Sequence, residues 1–298
     1  MNEIKKTAMI TVCGRPNVGK SSLTNALVGE KIAIVSNKPQ TTRNRIYGVV
    51  NRDDTQYVLL DTPGLHKART RLGDYMVKVV NASLAEVDCA LLLVEPIAHV
   101  GIPEETLIAR IREEKIPAIL CVNKIDTVKK EDLLAVIAAY SEAYPDFAAI
   151  VPISARTGDG LDELVAEMHR FATPGPQLFP DDMTTDQPER QVVAELVREK
   201  LLLCLDKEIP HGTAVEVTKF SERDNEIIDV DVTIYCEKAS HKGIIIGKQG
   251  AMLKKISTLA RQDIEKFMGT KVYLETWVKV KENWRDNPAS IRNFGYEE

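Results

Sequence analysis

The sequence predicts a doubly wound α/β domain followed by a smaller α+β domain. Three observations carry that prediction. A strand-like stretch at residues 8–13 and short, unbroken apolar runs at residues 90–94, 118–122 and 149–153 alternate with helix-like segments, as in a mostly parallel sheet buried on both faces. Residues 172–188 then hold four of the fourteen prolines (Pro174, Pro176, Pro180, Pro188) and the pair Asp181-Asp182, the composition of a locally stiff linker. Beyond it, Ile228, Val230, Val232, Ile234 and Cys236 alternate with Asp229, Asp231, Thr233 and Tyr235, as a strand with one solvated face requires. A chain of 298 residues has the length for about two such cores.

The first strand, residues 8–13, runs into Gly14, Arg15, Pro16, Asn17, Val18, Gly19, Lys20 and Ser21, and a helix opens at Ser22. This is G-x-x-x-x-G-K-[ST] in the strand–loop–helix context that the pattern needs. A polyphosphate is a dense anion, so its site must offer many donors and no negative charge. Gly14 and Gly19 let the backbone wrap close, with its N–H groups converging at the helix N-terminus. Lys20 is expected to reach the β- and γ-phosphate oxygens and the Ser21 hydroxyl to ligate Mg²⁺. The chain should bind a nucleotide.

Residues 36–45 are polar, carry a proline and show no periodicity, so they form a loop. Residues 47–50 and 57–60 read as paired strands around a turn at 51–54. Asp61, Thr62, Pro63 and Gly64 follow at a strand's carboxyl end, with Leu65 next; in D-x-x-G the aspartate holds Mg²⁺ and the Gly64 N–H meets a γ-phosphate oxygen. Thr41 or Thr42 can add a hydroxyl to the metal, and Thr42, directly before an arginine, is the choice. Asn123, Lys124, Ile125 and Asp126 fit N-K-x-D, where the Asp126 carboxylate accepts from the N1–H and 2-amino donors of guanine. Adenine lacks both donors, so ATP would leave a buried carboxylate unpaired. Ser154, Ala155 and Arg156 should close over the base, with the Ala155 N–H facing guanine O6. Singly these strings are common turns and strand exits. In this order, each after its own strand at the sheet edge where ligands sit, they form one guanine-nucleotide constellation.

Composition narrows the class. Apolar content of 44% with 28% charged residues describes an ordinary globular protein, and a formal charge of −5 argues for no global attraction to nucleic acid. Residues 241–298 nevertheless carry 11 Lys+Arg against 7 Asp+Glu, a local excess of +4. The five cysteines are far apart with no C-x-x-C spacing, so they read as core residues of a reducing compartment and imply no metal site. No apolar run approaches a membrane span and no signal-peptide core precedes the first strand, so a cytoplasmic location is expected.

In the second domain, Val193, Val197, Leu201 and Cys204 recur at helical spacing, and the full order is helix, strand, strand, helix, helix, strand. Between the last two strands, Gly247, Lys248, Gln249 and Gly250 form a G-x-x-G loop joining two helices, after Ile244-Ile245-Ile246. A loop without side chains at its ends can press against a sugar–phosphate backbone, while the next helix N-terminus, Lys248, Lys254 and Lys255 favour the anion. This arrangement looks like a K-homology domain of the bacterial (type II) form, which clamps single-stranded nucleic acid. The organisation expected is a P-loop GTPase domain at 1–172, a proline-rich linker at 173–190, the K-homology domain at 191–282 and a C-terminal tail at 283–298.

The combination of these motifs with a single K-homology domain is similar to the Era family of bacterial GTPases, over nearly the whole chain. The resemblance implies a switch using GTP/GDP and Mg²⁺ that binds the 3′ end of 16S ribosomal RNA and assists maturation of the small ribosomal subunit. It also implies some peripheral association with the inner face of the membrane; the oligomeric state is left open, with a monomer favoured. Lys20, Thr42, Gly64 and Asn17 are the residues expected to act in hydrolysis. Leu65 departs from the small GTPases, standing where a water-orienting glutamine would be. His66, Arg69 and Arg71 follow it but read as a solvated switch loop. Asn17 resembles the asparagine with which potassium-stimulated relatives hold K⁺ beside the phosphates, so slow basal hydrolysis raised by K⁺ and RNA is expected. The rival is a constitutive RNA-binding protein whose nucleotide only stabilises the fold. An ATP-dependent phosphotransferase is disfavoured by Asp126.

Overall fold

The computed structural model describes residues 4–65, 68, 70–84, 87–223 and 226–296. By internal contacts the chain divides into two units: Met1–Ala33, Thr42–Lys67 and Met76–Asp186 form one, and Ile34–Thr41, Ala68–Tyr75 and Gln187–Glu298 the other.

In the first unit, β1 (Lys6–Cys13) leads through the phosphate-type loop to α1 (Lys20–Val28), and β2 (Ile46–Arg52) turns back into β3 (Thr55–Asp61). Helix α2 (Arg71–Ala82) begins in the stretch grouped with the second unit and belongs to the first from Met76; after it come β4 (Cys89–Val94), α3 (Ile102–Glu114), β5 (Ala118–Val122), α4 (Lys130–Ala143), β6 (Ala149–Pro152), α5 (Leu161–His169) and the short β7 (Thr173–Pro174). The strand order is β2-β3-β1-β4-β5-β6, with β7 beside β1; β2 and β7 are antiparallel to their neighbours and the rest are parallel. Alternate residues of each strand feed opposite faces. Ile10, Val12, Leu59, Leu91 and Cys121 pack with Leu23 and Leu27 of α1 and Leu164 and Met168 of α5. Cys13, Leu92, Val94, Leu120 and Val122 pack with Leu107 and Ile111 of α3 and Val136 and Tyr140 of α4. Strands buried on both sides have no polar face to show, which is why they read as unbroken apolar runs.

Register decides where the chemistry gathers. Val12 pairs with Asp61, Cys13 with Leu92, Val94 with Val122 and Val122 with Pro152. The carboxyl ends of β1, β3, β4, β5 and β6 therefore finish side by side, and the loops that follow share one edge of the sheet. The proline-rich stretch is tied to this unit rather than free of it. The Gln56 side chain accepts from the Leu178 and Phe179 N–H groups (2.9 Å each) and donates to the Phe179 carbonyl (2.9 Å), and Thr185 bridges Gly48.

In the second unit, α6 (Glu189–Cys204), β8 (Thr213–Glu222), β9 (Ile228–Cys236), α7 (Ala239–Ile246), α8 (Ala251–Met268) and β10 (Val272–Val280) follow the expected order. The sheet runs β10-β9-β8, with β8 antiparallel and β10 parallel to β9. Val230, Val232, Ile234 and Cys236 pack with Val193, Val197 and Leu201 of α6 and Ile256, Ala260 and Ile264 of α8. Two features differ from the sequence reading. Helix α6 buries charged as well as apolar residues: Arg198, Glu199 and Lys200 are at most 7% exposed. Their partners come from distant sequence, the Val35 N–H donating to Glu199 (2.9 Å), Arg198 to the Thr41 carbonyl, and Lys200 to Asp263 (2.5 Å). The stretch set apart as a tail is also packed: Trp284 is fully buried, donates to the Gly212 carbonyl (2.9 Å) and meets Phe294 edge-on, ahead of α9 (Pro288–Asn293).

Candidate functional site

The loop after β1 approaches the loop after β5 closely enough to require glycine. At Gly19, whose φ is +103°, a Cβ would lie 2.3 Å from Asn123 Nδ2. That amide donates to the Val18 carbonyl (2.8 Å), while Asn123 Oδ1 accepts the Ala155 N–H (3.0 Å). One buried asparagine thus ties the phosphate loop to both base-recognition strings. The Ala155 N–H, assigned to guanine O6, here donates to Asn123, because β5 and β6 are neighbours and bring that amide oxygen within reach.

Lys20 is buried, donating to the Gly14 (3.1 Å) and Arg15 (3.0 Å) carbonyls. Burial pulls its ammonium down to about 8, against the opposing pull of Asp61. Asp61 is fully buried, and desolvation pushes its carboxyl up to about 6 although Ser21, Lys20 and the Thr62 N–H favour its charge. Its Oδ2 accepts from Ser21 Oγ (2.7 Å), and Ser21 Oγ lies 2.9 Å from Thr42 Oγ1. Thr41 is turned elsewhere, its hydroxyl bonding the Lys38 carbonyl (2.6 Å) and Ser36 (2.7 Å). Asp61 Oδ1 is buried with no hydrogen-bond partner. An orphaned carboxylate oxygen beside two hydroxyls is a hard oxygen set that suits Mg²⁺, which keeps several waters and needs few protein ligands.

The remaining members of the D-x-x-G string serve by their backbone. Thr62 turns its hydroxyl to the Val12 carbonyl (2.9 Å), and Gly64 sits so close to the phosphate loop that a Cβ would lie 2.7 Å from Pro16 N. Leu65 packs against the apolar cluster that includes α3 and α4, which accounts for an apolar residue where a water-orienting side chain was sought. His66 and Arg69 lie outside the described residues.

At the base end, Asp126 accepts from Ser154 Oγ (2.6 Å) and pairs with Arg156 (2.5 Å). The Ser154 hydrogen bond, opposed by desolvation and aided by Arg156, holds its carboxyl below the usual range. Ser154 and Arg156 therefore orient the acceptor. Lys124 Nζ donates to the Asn17 carbonyl (2.7 Å). Two acidic residues that sequence reasoning missed, Glu95 and Glu104, brace these loops. Glu95 accepts from Lys124 Nζ (2.5 Å) and also pairs with Arg15. Glu104, 2% exposed, lies 3.6 Å from Arg15 Nε. An acidic residue directly after a buried strand was the only sequence signal for Glu95.

In the second unit the loop between α7 and α8 has the geometry of a clamp. Gly247, Gln249 and Gly250 have φ of +74°, +52° and +76°, and the N-terminus of α8 follows at once. Lys248, Gln249, Lys254 and Lys255 are exposed, and so is Ile244 (49%), an apolar surface beside the loop.

Comparisons with known proteins agree with both domains. A family profile described as 50S ribosome-binding GTPase matches residues 9–124, and one described as KH domain matches residues 208–285. The GTPase Era of Ruminiclostridium cellulolyticum is 51% identical over 292 residues, covering 98% of each chain. The solved structure of a variant of Aquifex aeolicus Era bound to GDP.AlF4⁻ is 38% identical with a TM-score of 0.94, over 98% of this chain and 100% of that one. Era in complex with MgGDPNP and nucleotides 1506–1542 of 16S ribosomal RNA matches with the same identity and TM-score, over 99% and 100%.

Proposed function

The chain belongs to the Era family of GTPases, and from that premise we propose that it is a GTP-binding and GTP-hydrolysing switch that binds the 3′ end of 16S ribosomal RNA and assists small-subunit biogenesis. The observation that carries the nucleotide half is the meeting of the Lys20 and Asp126 loops through Asn123, which sets a cation for phosphates and an acceptor for guanine on one sheet edge. Residues 1–172 make the GTPase domain and 191–282 the RNA-binding domain. The protein is cytoplasmic; its peripheral association with the inner membrane face rests on the family resemblance alone.

Ser21, Thr42 and Asp61 would hold Mg²⁺, which would supply positive charge against that of the phosphates. Lys20 would exchange its two carbonyl contacts for phosphate oxygens, and the N–H groups of residues 14–22 would cradle the rest. Asp126, held by Ser154 and Arg156, accepts the guanine donors. The Gly64 N–H meets the γ-phosphate, and Leu65 excludes solvent without orienting a water. Hydrolysis is therefore slow unless raised by RNA or by K⁺ held beside Asn17. In the second domain the clamp at 247–250 and Lys248, Lys254 and Lys255 take a single-stranded RNA backbone.

The experiment is direct competition. GTP should displace a fluorescent guanine nucleotide at concentrations at least ~10³-fold below ATP, and a 16S 3′-end oligonucleotide should bind more tightly than a scrambled one. Equal displacement by ATP would remove the guanine reading; full cellular function of Lys20→Ala would favour the constitutive RNA binder.

A further inference from the structure

Asn17 and Lys124 both hold left-handed backbone conformations, with φ of +66° in each. Asparagine tolerates this region, but lysine does so at a cost, and strain of that kind persists only where the surroundings over-determine it. The two are joined: Lys124 Nζ donates to the Asn17 carbonyl at 2.7 Å. Behind that bond stands Glu95, just past the carboxyl end of β4, accepting from the same Nζ at 2.5 Å. Its other oxygen takes Arg15 Nη2, and Arg15 Nε lies 3.6 Å from Glu104 on α3. Burial alone would raise the Glu95 carboxyl, but the hydrogen bond and charge of Lys124, and then those of Arg15, bring it below its usual range.

We propose that Glu95 is a positioning residue for guanine-nucleotide retention, clasping the phosphate loop through Arg15 and the base loop through Lys124 so that neither relaxes without the other. It touches neither phosphate nor base and is no catalytic residue. An isolated, half-exposed ion pair would contribute little. This one differs because a single carboxylate joins two cations from two loops, and one of those cations, itself in a strained turn, also holds the Asn17 carbonyl. Glu95 has one oxygen for each loop, so its loss removes the partner that Lys124 and Arg15 share, leaving Lys124 with the Asn17 carbonyl and Arg15 with Glu104. The Lys124 turn carries Asn123 and Asp126 on either side, and the Asn17 turn lies between Gly14 and Lys20, so both ends of the nucleotide loosen.

This inference rests on the guanine-nucleotide reading, and the test separates the two. Dissociation of fluorescent GDP is measured by stopped flow for the full-length wild type, Glu95→Gln, Lys124→Met and the double variant. Glu95→Gln should release GDP about tenfold faster, the scale of one partly exposed charge-assisted hydrogen bond. Its kcat at saturating GTP should stay within about twofold, since the reacting groups are untouched. In the double variant the two single rate factors should fall well short of multiplying, because both substitutions break the same clasp. A generally weakened fold would instead lower kcat and let the factors multiply. Arg15→Gln, which removes one tie of the phosphate loop but leaves Lys124 joined to Asn17 and to Glu95, should give a smaller acceleration, and it carries the test if Glu95→Gln does not fold. Release unchanged in Glu95→Gln, or rate factors that multiply in the double variant, would overturn the proposal. A wild type that does not retain GDP would instead overturn the site reading itself.

Discussion

Lys20 and Asp61 are opposite charges buried together in a site built for something more highly charged than either. Asp61 sits at about 6, above its unfolded value, and Lys20 at about 8, below its own. The signs follow from linkage. A carboxyl with a raised folded value favours the folded state in its protonated form, so its contribution is present at acid pH and is lost as pH rises through about 6. A lysine with a lowered folded value contributes above its unfolded value, and that contribution is lost as pH falls through about 8. Between those values both side chains are charged, each against the cost of burial, and phosphate and Mg²⁺ relieve both. Binding of Mg·GDP should therefore release about half a proton from Asp61 at pH 6 and take up about half a proton at Lys20 at pH 8. Calorimetry in buffers of different ionisation enthalpy reads both. Asp61→Asn should abolish its share of the release at about pH 6 and keep the uptake at about pH 8. Identical proton counts for wild type and Asp61→Asn at the acid end would contradict this account.

In the helix–loop–helix around residues 247–250, the proposed RNA clamp, the two glycines are not equivalent. A Cβ at Gly247 would lie 2.7 Å from Met252 Cβ, whereas one at Gly250 would meet nothing within 4 Å. Both have positive φ, so any side chain costs about 1 kcal/mol in conformation, but only at Gly247 does it also clash. Gly250→Asp should fold and lose at least about tenfold in RNA affinity, since it sets a carboxylate against the phosphates. Gly247→Asp should lower the melting temperature by several degrees more than Gly250→Asp. Comparable melting for the two, or intact RNA binding by Gly250→Asp, would count against the clamp. The same loop shows what could be read from sequence. The strings at 14–21, 61–64, 123–126 and 247–250 were legible because each compresses its chemistry into a fixed local spacing. The strands themselves were legible because burial on both faces leaves unbroken apolar runs. Glu95 was not, since its partners Arg15 and Lys124 are 80 and 29 residues away. Nor was the burial of Arg198, Glu199 and Lys200, because the residues that cover them, Val35, Thr41 and Asp263, come from elsewhere in the chain.

The polar loop at 36–45 bears on the protein entire because contact divides it. Ile34–Thr41 belongs with the second unit, where Arg198 and Glu199 hold its backbone, and Thr42 belongs with the first, where its hydroxyl meets Ser21. Adjacent residues in one backbone cannot be placed independently, so a nucleotide that fixes Thr42 constrains Thr41. If RNA affinity responds to the bound nucleotide, linkage demands the converse by the same factor. The ratio of RNA dissociation constants for the GDP and GTP-analogue forms should equal the ratio by which saturating RNA shifts the competition between those nucleotides. A typical coupling of about 1–3 kcal/mol corresponds to about 5- to 150-fold. Arg198→Met removes the donor to the Thr41 carbonyl while keeping much of the buried volume, so it should move both ratios toward one. GDP affinity should stay near wild type, because GDP has no γ-phosphate and makes the least demand on Thr42. Fluorescence titrations of labelled RNA and labelled nucleotide, run on the same preparations, give both sides of the cycle. An Arg198→Met protein whose two ratios match the wild type would show that the coupling does not pass through the junction of Thr41 and Thr42. A wild type with both ratios at one would favour the constitutive RNA binder over the switch.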